Sequence, residues 1–186
     1  TEDDEPRAHA LRRHLRGHRP ADEHEHELVA RMLALLDQGE PAVSRRHFEP
    51  GHFTASAFIL SPARDELLLI LHRKLGLWLQ PGGHVEPSDD SVQAAARREA
   101  REEVGLEALT LAHDGIFDVD IHEIPALAGQ PAHQHFDVRF LFVSPTKEIR
   151  PASDAEDARW IALESVADVQ SDESVMRAVR RLSTRR

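Results

Sequence analysis

The sequence predicts an α/β protein, a mixed sheet carrying helices, with a helical extension at its N-terminus. Three observations predict it. After residue 50, alternating or continuous apolar segments recur at strand length. Two amphipathic segments with capping residues, one running up to Gly105 and one following Ser171, have helical spacing. Before residue 50 the only apolar periodicity is helical, and this shift in composition divides an extension, 1–47, from a domain, 48–186.

Composition sets the outer limits. The chain has 186 residues, enough for one domain with a proper core plus the extension. With 40% hydrophobic and 30% charged residues it falls in the ordinary range of globular proteins. A formal net charge of -10 argues against nucleic acid or an anionic membrane as partner, while a bound cation could still invert the field locally for a small phosphorylated substrate. There is no Cys, which removes disulfides and thiol chemistry. No apolar run reaches membrane-spanning length and the start lacks a signal-peptide core, so a cytoplasmic location is expected. Thirteen histidines are many for this length and call for an explanation.

In chain order, Pro6 can open a first helix that Gly17 or Pro20 ends. Its arginines, interleaved with His9, His14 and His18, point to a solvated terminal helix rather than a basic arm for phosphates. Asp22 and Glu25 form a capping-box pattern ahead of Leu28, Met32, Leu35 and Leu36, and Gly39 and Pro41 end that second helix. Its apolar face must be buried, against the substrate site or in a homodimer. His24 and His26 are not four apart and are expected in solvent.

Residues 53–60 read as a strand, 61–65 as a turn and 67–71 as a buried strand, together a hairpin. His72 and Arg73 follow at the strand end, where cations either meet a substrate phosphate or flank a turn. Later, Phe117, Val119 and Ile121 alternate with Asp118, Asp120 and His122. Phe136, Val138, Phe140 and Phe142 alternate with His133, His135, Asp137 and Arg139. If these strands pair across the loop from Pro125 to Pro131, their polar sides form a wall of His, Asp and Arg. Substrate or phosphate recognition by His122, His133, His135 and Arg139 is the favoured reading, and zinc on the three histidines is the sharper version. Asp137 or Asp120 could equally tie Arg139 down. Residues 144–159 read as a polar loop before the strand at Trp160, and Ser171 as the cap of a last helix bearing Val175, Met176, Val179 and Leu182.

The most informative stretch runs from Gly82 to Leu106. Asp89 or Asp90 can cap a helix there, and Gly105 sits where a left-handed residue would end it. Val92, Ala95 and Ala96 share a face that continues as Glu99, Glu102 and Glu103. Like charges at this spacing repel, so the pattern implies a cation, and oxygen ligands suit Mg²⁺ or Mn²⁺. Arg98 lies four residues before Glu102 and can hold its carboxylate.

The stretch resembles the Nudix box, G, five residues, E, seven residues, R-E-U-x-E-E-x-G-U, with U bulky and aliphatic. The second half matches from Arg98 to Leu106, with Ala100 at a U position; the first half is one residue longer, with Asp89 or Asp90 where the pattern has Glu. The resemblance implies a Nudix α/β/α sandwich with a mixed sheet. It also implies hydrolysis of a pyrophosphate bond in a nucleoside diphosphate linked to another group. On this resemblance Glu99, Glu102 and Glu103 bind the metal, and the Gly83 carbonyl is a further ligand. Arg98 belongs to the catalytic set, and Glu99 or an acid of the late loop, Glu156 or Asp154, serves as base. The lengthened box is similar to that of coenzyme A pyrophosphatases. A nucleotide sensor of the same fold that does not cut its ligand is the rival reading, against which stands the full set of metal carboxylates.

Overall fold

A computed structural model describes residues 4–38, 42–73, 75–127, 129–152 and 155–184. In chain order it contains α1 (Asp4–Gly17), α2 (Glu23–Asp37), β1 (Gly51–Leu60), β2 (Glu66–His72), β3 (Leu77–Leu79), β4 (Gly82–His84) and α3 (Val92–Val104). These are followed by β5 (Thr110–Leu111), β6 (Asp118–Ile124), β7 (His133–Val143), β8 (Ala155–Ala162), a 3₁₀ helix (Leu163–Asp168) and α4 (Glu173–Ser183). The α/β class with helices ahead of the sheet is as the sequence predicts.

Strands pair in the order β3-β2-β1-β7-β5, with β4 on β1, β6 on β7 and β8 on β2. β1 is buried along its whole length. Most pairs are antiparallel, but β1 and β7 run the same way: Gln134 N–H donates to Pro50 O (2.8 Å) and Ser144 N–H to Leu60 O (3.0 Å). The sheet is therefore mixed.

The chain forms two compact units. The first comprises Thr1–Ser56, Gly83–Ala96 and Gly115–Phe140. Here α2 packs against α1 and β6, and Leu28, Met32, Leu35 and Leu36 are buried. The face that could have served a homodimer is thus covered within the chain. Asp22 Oδ1 accepts from Glu25 N–H at 2.8 Å, as the capping pattern predicts. Glu25 accepts from Ala21 N–H and pairs with His18 Nε2 at 2.8 Å, which lets a carboxylate sit buried at the start of the helix. The expected ends of α2 at Gly39 and Pro41 lie outside the described residues; Gln38 follows the last turn and Arg12 donates to Leu36 O (2.6 Å).

The terminal helix differs from expectation. Leu11 and Leu15 are buried, and so is Arg7, which donates to the carbonyls of Glu86 (2.8 Å) and Asp89 (3.4 Å). A guanidinium can meet two loop carbonyls at once, so α1 is anchored rather than solvated.

The second unit comprises Ala57–Gly82, Arg97–Asp114 and Leu141–Arg186. Leu60 pairs with Leu67 in the expected hairpin, whose turn is closed by Ser61 Oγ donating to Asp65 (2.8 Å). β8 lies along β2 from Glu66↔Ala162 to His72↔Ala155, so the strand starts well before Trp160, where the sequence reads as loop. Its polar residues conceal it, because only its pairing with the apolar β2 makes it a strand. α4 is capped by Asp172, which accepts from Val175 N–H (2.8 Å), and not by Ser171, whose hydroxyl donates to Trp78 O (2.6 Å). Met176 is half-buried while Val175, Val179 and Leu182 are buried. Among the described residues no helix is long and apolar enough to cross a membrane.

Gly51 allows β1 and β7 to approach. A Cβ there would lie 1.8 Å from the carbonyl oxygen of Gln134, a backbone atom with no freedom to withdraw. Gly51→Ala is expected to cost about 2–3 kcal/mol, as overpacking at a rigid neighbour does. A urea midpoint equal to the wild type would contradict this close pairing.

Candidate functional site

Two polar groupings stand out, one in each unit. In the second unit the C-terminal half of α3 carries the acids. Arg98 Nη1 donates to Glu99 (2.8 Å) and to Glu102 (3.0 Å), so one guanidinium spans two carboxylates. Glu103 accepts from Gly82 N–H at 2.9 Å. Gly105, at φ 73°, ends the helix in the left-handed region, and Arg150 and Ala152 donate their N–H groups to Val104 O and Glu103 O at 2.8 Å. Carboxylates in a last helical turn face the negative end of the helix dipole. Arg98 offsets only part of that charge. Glu102 is exposed, Glu99 and Glu103 half-buried. The donors are all oxygens, a set chemically suited to Mg²⁺ or Mn²⁺.

The start of α3 departs from expectation. Neither Asp89 nor Asp90 caps it. Ser91 Oγ accepts from Ala94 N–H at 3.0 Å. Asp89 instead turns back into the loop and accepts from Glu86 N–H at 2.8 Å, a role that buries it, while Asp90 is exposed. Gly83 belongs to β4, a short strand where the sequence shows only a glycine loop. His72 and Arg73 are exposed at the turn between β2 and β3. Glu156 lies on β8, but its side chain is outside the described structure, as is Asp154 entirely.

In the first unit β6 and β7 pair, as the polar wall requires, in a register from Asp118↔Arg139 through His122↔His135 to Ile124↔His133. Arg139 is 2% exposed. Its guanidinium meets Asp137 (2.8 Å), Asp118 (3.2 Å) and Asp120 (3.4 Å). Burial works against its charge, yet the carboxylates of Asp137, Asp120 and Asp118 outweigh it and push the pKa up. Asp137 also accepts from the hydroxyls of Thr54 (3.0 Å) and Ser56 (2.9 Å) on β1. Arg139 is thus tied down by carboxylates, and its donors face the interior.

The histidines are divided. His122 is exposed and pairs with Asp120 (3.3 Å). Burial pulls its pKa down, but the bond to Asp120 and the charge of Asp137 raise it overall. His133 and His135 gather instead with His52 of β1 and His84 of β4. Ring centroids lie 5.0 Å apart for His52 and His133, 4.9 Å for His52 and His135, and 5.1 Å for His52 and His84. Burial lowers the pKa of His52 despite the bond to the His47 carbonyl, which raises it, and burial followed by the charges of His52 and His84 pushes that of His135 down to about 3, so both are neutral near pH 7. His52 and His84 have no part in the sequence reading. A signal was present in that His52, Thr54 and Ser56 alternate along β1, a polar row in phase with the wall on β7.

Comparison with known proteins bears on the family and the fold. A family model described as NUDIX domain matches residues 50–181. Among solved structures, a NUDIX-family hydrolase from Clostridium perfringens is 28% identical, with a TM-score of 0.55 over 73% of this chain and 98% of that one. A Nudix hydrolase from M. smegmatis (22% identity, TM-score 0.52, 72% and 84% covered) and the E. coli dihydroneopterin triphosphate pyrophosphohydrolase (17%, 0.54, 69% and 92%) share the fold. No curated protein matches the chain closely enough to count as a relative.

The Arg139 network makes a measurable demand on stability. Arg139→Met keeps the volume of the side chain and removes the charge that three interior carboxylates face. The expected loss is about 3–5 kcal/mol, the cost of breaking a buried ion pair from one side. Urea unfolding at neutral pH measures it, and a loss below 1 kcal/mol, roughly that of an exposed pair, would show that the aspartates do not depend on Arg139.

Proposed function

The chain belongs to the Nudix family, whose members cleave pyrophosphate bonds in nucleoside diphosphate derivatives, and we propose that it hydrolyses a nucleoside diphosphate linked to a nucleotide, a sugar or a similar group. It is a pyrophosphohydrolase. The observation that carries the finer reading is the grip of Arg98 on Glu99 and Glu102, with Glu103 tied to Gly82 N–H. Three carboxylates are held in defined positions against their own repulsion and the helix dipole.

These residues fit a hard divalent ion, Mg²⁺ or Mn²⁺, which Glu99, Glu102 and Glu103 would hold. When bound, such an ion supplies positive charge that offsets the charge growing on the phosphoryl oxygens and makes water a better nucleophile. Arg98 orients two of the three carboxylates and so fixes the shape of the site before substrate arrives. Water attacks one phosphorus, the P–O bond to the bridging oxygen breaks, and that oxygen leaves with the electron pair. Glu99 or Glu156 accepts the proton that the water gives up.

Exposed His72, Arg73 and His122 are the groups offered to the phosphates and the linked moiety. His122 suits this because its raised pKa favours the protonated form over a wider range. Arg139 acts through the strands it ties together and not by touching substrate. In this reading residues 48–186 carry the chemistry, and 1–47 buttress the loop before α3 through Arg7.

The test is kinetic. A screen of nucleotide sugars, ADP-ribose, dinucleoside polyphosphates, nucleoside triphosphates and coenzyme A, with Mg²⁺ or Mn²⁺, should reveal a hydrolysed substrate. On it, Glu102→Gln and Glu103→Gln should each lower kcat by at least ~100-fold, the effect of losing a metal ligand. The melting temperature of the metal-free protein should not fall, because each change relieves repulsion. Near wild-type turnover at saturating Mg²⁺ would remove these carboxylates from the site.

A further inference from the structure

Histidines 52, 133 and 135 have a geometry that neither the hydrolytic reading nor sheet packing requires. Each offers one ring nitrogen, and these nitrogens all lie within 4.8 Å of one another. His52 is 1% and His133 4% exposed. His52 Nδ1 bonds to the carbonyl of His47 (2.9 Å), and His133 Nδ1 to that of Pro131 (2.8 Å). A carbonyl accepts only, so in each ring Nδ1 carries the proton and Nε2 keeps a lone pair. Backbone carbonyls of this kind commonly set the tautomer and direction of metal-binding imidazoles. His52 Nε2 and His135 Nε2 are both buried without a hydrogen-bond partner. Burying a polar atom unpaired costs about 1–3 kcal/mol, and two in one cluster call for a common partner.

We propose that His52, His133 and His135 form a binding site for a divalent transition ion, Zn²⁺ in the first place, with three imidazole ligands and the fourth position open to water or His84. Imidazole nitrogens suit zinc and its neighbours in the transition series, whereas Mg²⁺ prefers oxygen. The site is therefore chemically distinct from the carboxylates of α3 and does not rest on the hydrolytic assignment. Tetrahedral zinc with bonds of about 2.0–2.1 Å places its ligand nitrogens roughly 3.4 Å apart. Any pair at the upper limit of 4.8 Å would close by about 1.4 Å, a movement shared between the two rings through side-chain rotation. His133 and His135 come from β7 and His52 from β1, so the ion would pin the parallel pairing of these two strands. His122 is exposed on β6 and bound to Asp120, outside the ligand set.

The full chain, purified without a histidine tag and stripped of metal, is titrated with Zn²⁺ by calorimetry, and the zinc-loaded protein is examined by X-ray absorption. One zinc per chain, a first shell with at least three imidazoles and a higher melting temperature are expected. Glu103→Gln should bind as the wild type does, which separates this site from the hydrolytic one. His52→Ala and His133→Ala should each weaken binding by at least ~100-fold, the scale on which metal sites respond to loss of their organised ligands. Failure to bind zinc, a shell of fewer than three imidazoles, or unchanged affinity in both variants overturns the proposal. Should a variant fail to fold, the absorption spectrum of the wild type decides by itself, since among the described residues no other group places three imidazoles together.

Discussion

Asp137 is the point through which the first unit is tied together. It lies on β7, accepts from Thr54 and Ser56 of β1, and receives the guanidinium of Arg139, which in turn reaches Asp118 and Asp120 of β6. A buried carboxylate needs several donors, and this one takes them from a hydroxyl row on one neighbouring strand and a cation on its own. The demand fixes which side chains of β1 and β7 face each other. Because the strands run parallel, the same alignment carries His52 to His133 and His135. Slipping β1 by one residue would turn Thr54, Ser56 and His52 to the other face at once.

The two polar groupings solve the problem of concentrated charge or polarity in opposite ways. On α3 the acids are partly open to water, where repulsion is weaker, and Arg98 and the Gly82 N–H are among the groups that hold them. Around Arg139 water is largely excluded, and the carboxylates take their donors from the protein, the guanidinium together with the hydroxyls of Thr54 and Ser56. The first arrangement leaves carboxylate oxygens in reach of solvent, as the proposed metal site requires. The second is rigid, and its value lies in placing the strands. The histidine cluster stands between these cases: His52 and His135 are neutral near pH 7, and the buried Nε2 of each has no hydrogen-bond partner.

The helices ahead of the sheet are joined to the rest of the first unit by polar contacts as well as apolar ones. Arg7 reaches the loop before α3 and His18 the carbonyl of Ile116 (3.0 Å), while Leu11 and Leu15 are buried. Such carbonyl contacts satisfy backbone groups of loops that have no strand partner. The loop that leads into α3 is therefore fixed from two sides, by Arg7 from outside and by Asp89 from within.

Local chemistry made much of this legible in the sequence. Alternation determined the two faces of β6 and β7, because side chains two apart on a strand share a side; their pairing and register are set by the structure. Helical spacing determined α2, α3 and the grouping of Glu99, Glu102 and Glu103 beside Arg98, since neighbours three and four apart on a helix must meet. The strand β8 was hidden by its polar composition, and the caps at Ser91 and Asp172 were misassigned because adjacent Ser and Asp residues compete for the same role. Only the tertiary structure decided that Arg139 is enclosed, that Arg7 is anchored, and that His52 joins His133 and His135. Those outcomes depend on the parallel pairing of β1 with β7 and on helix packing. Both join residues some eighty positions apart, and no local periodicity encodes which distant partner a strand or a side chain will find.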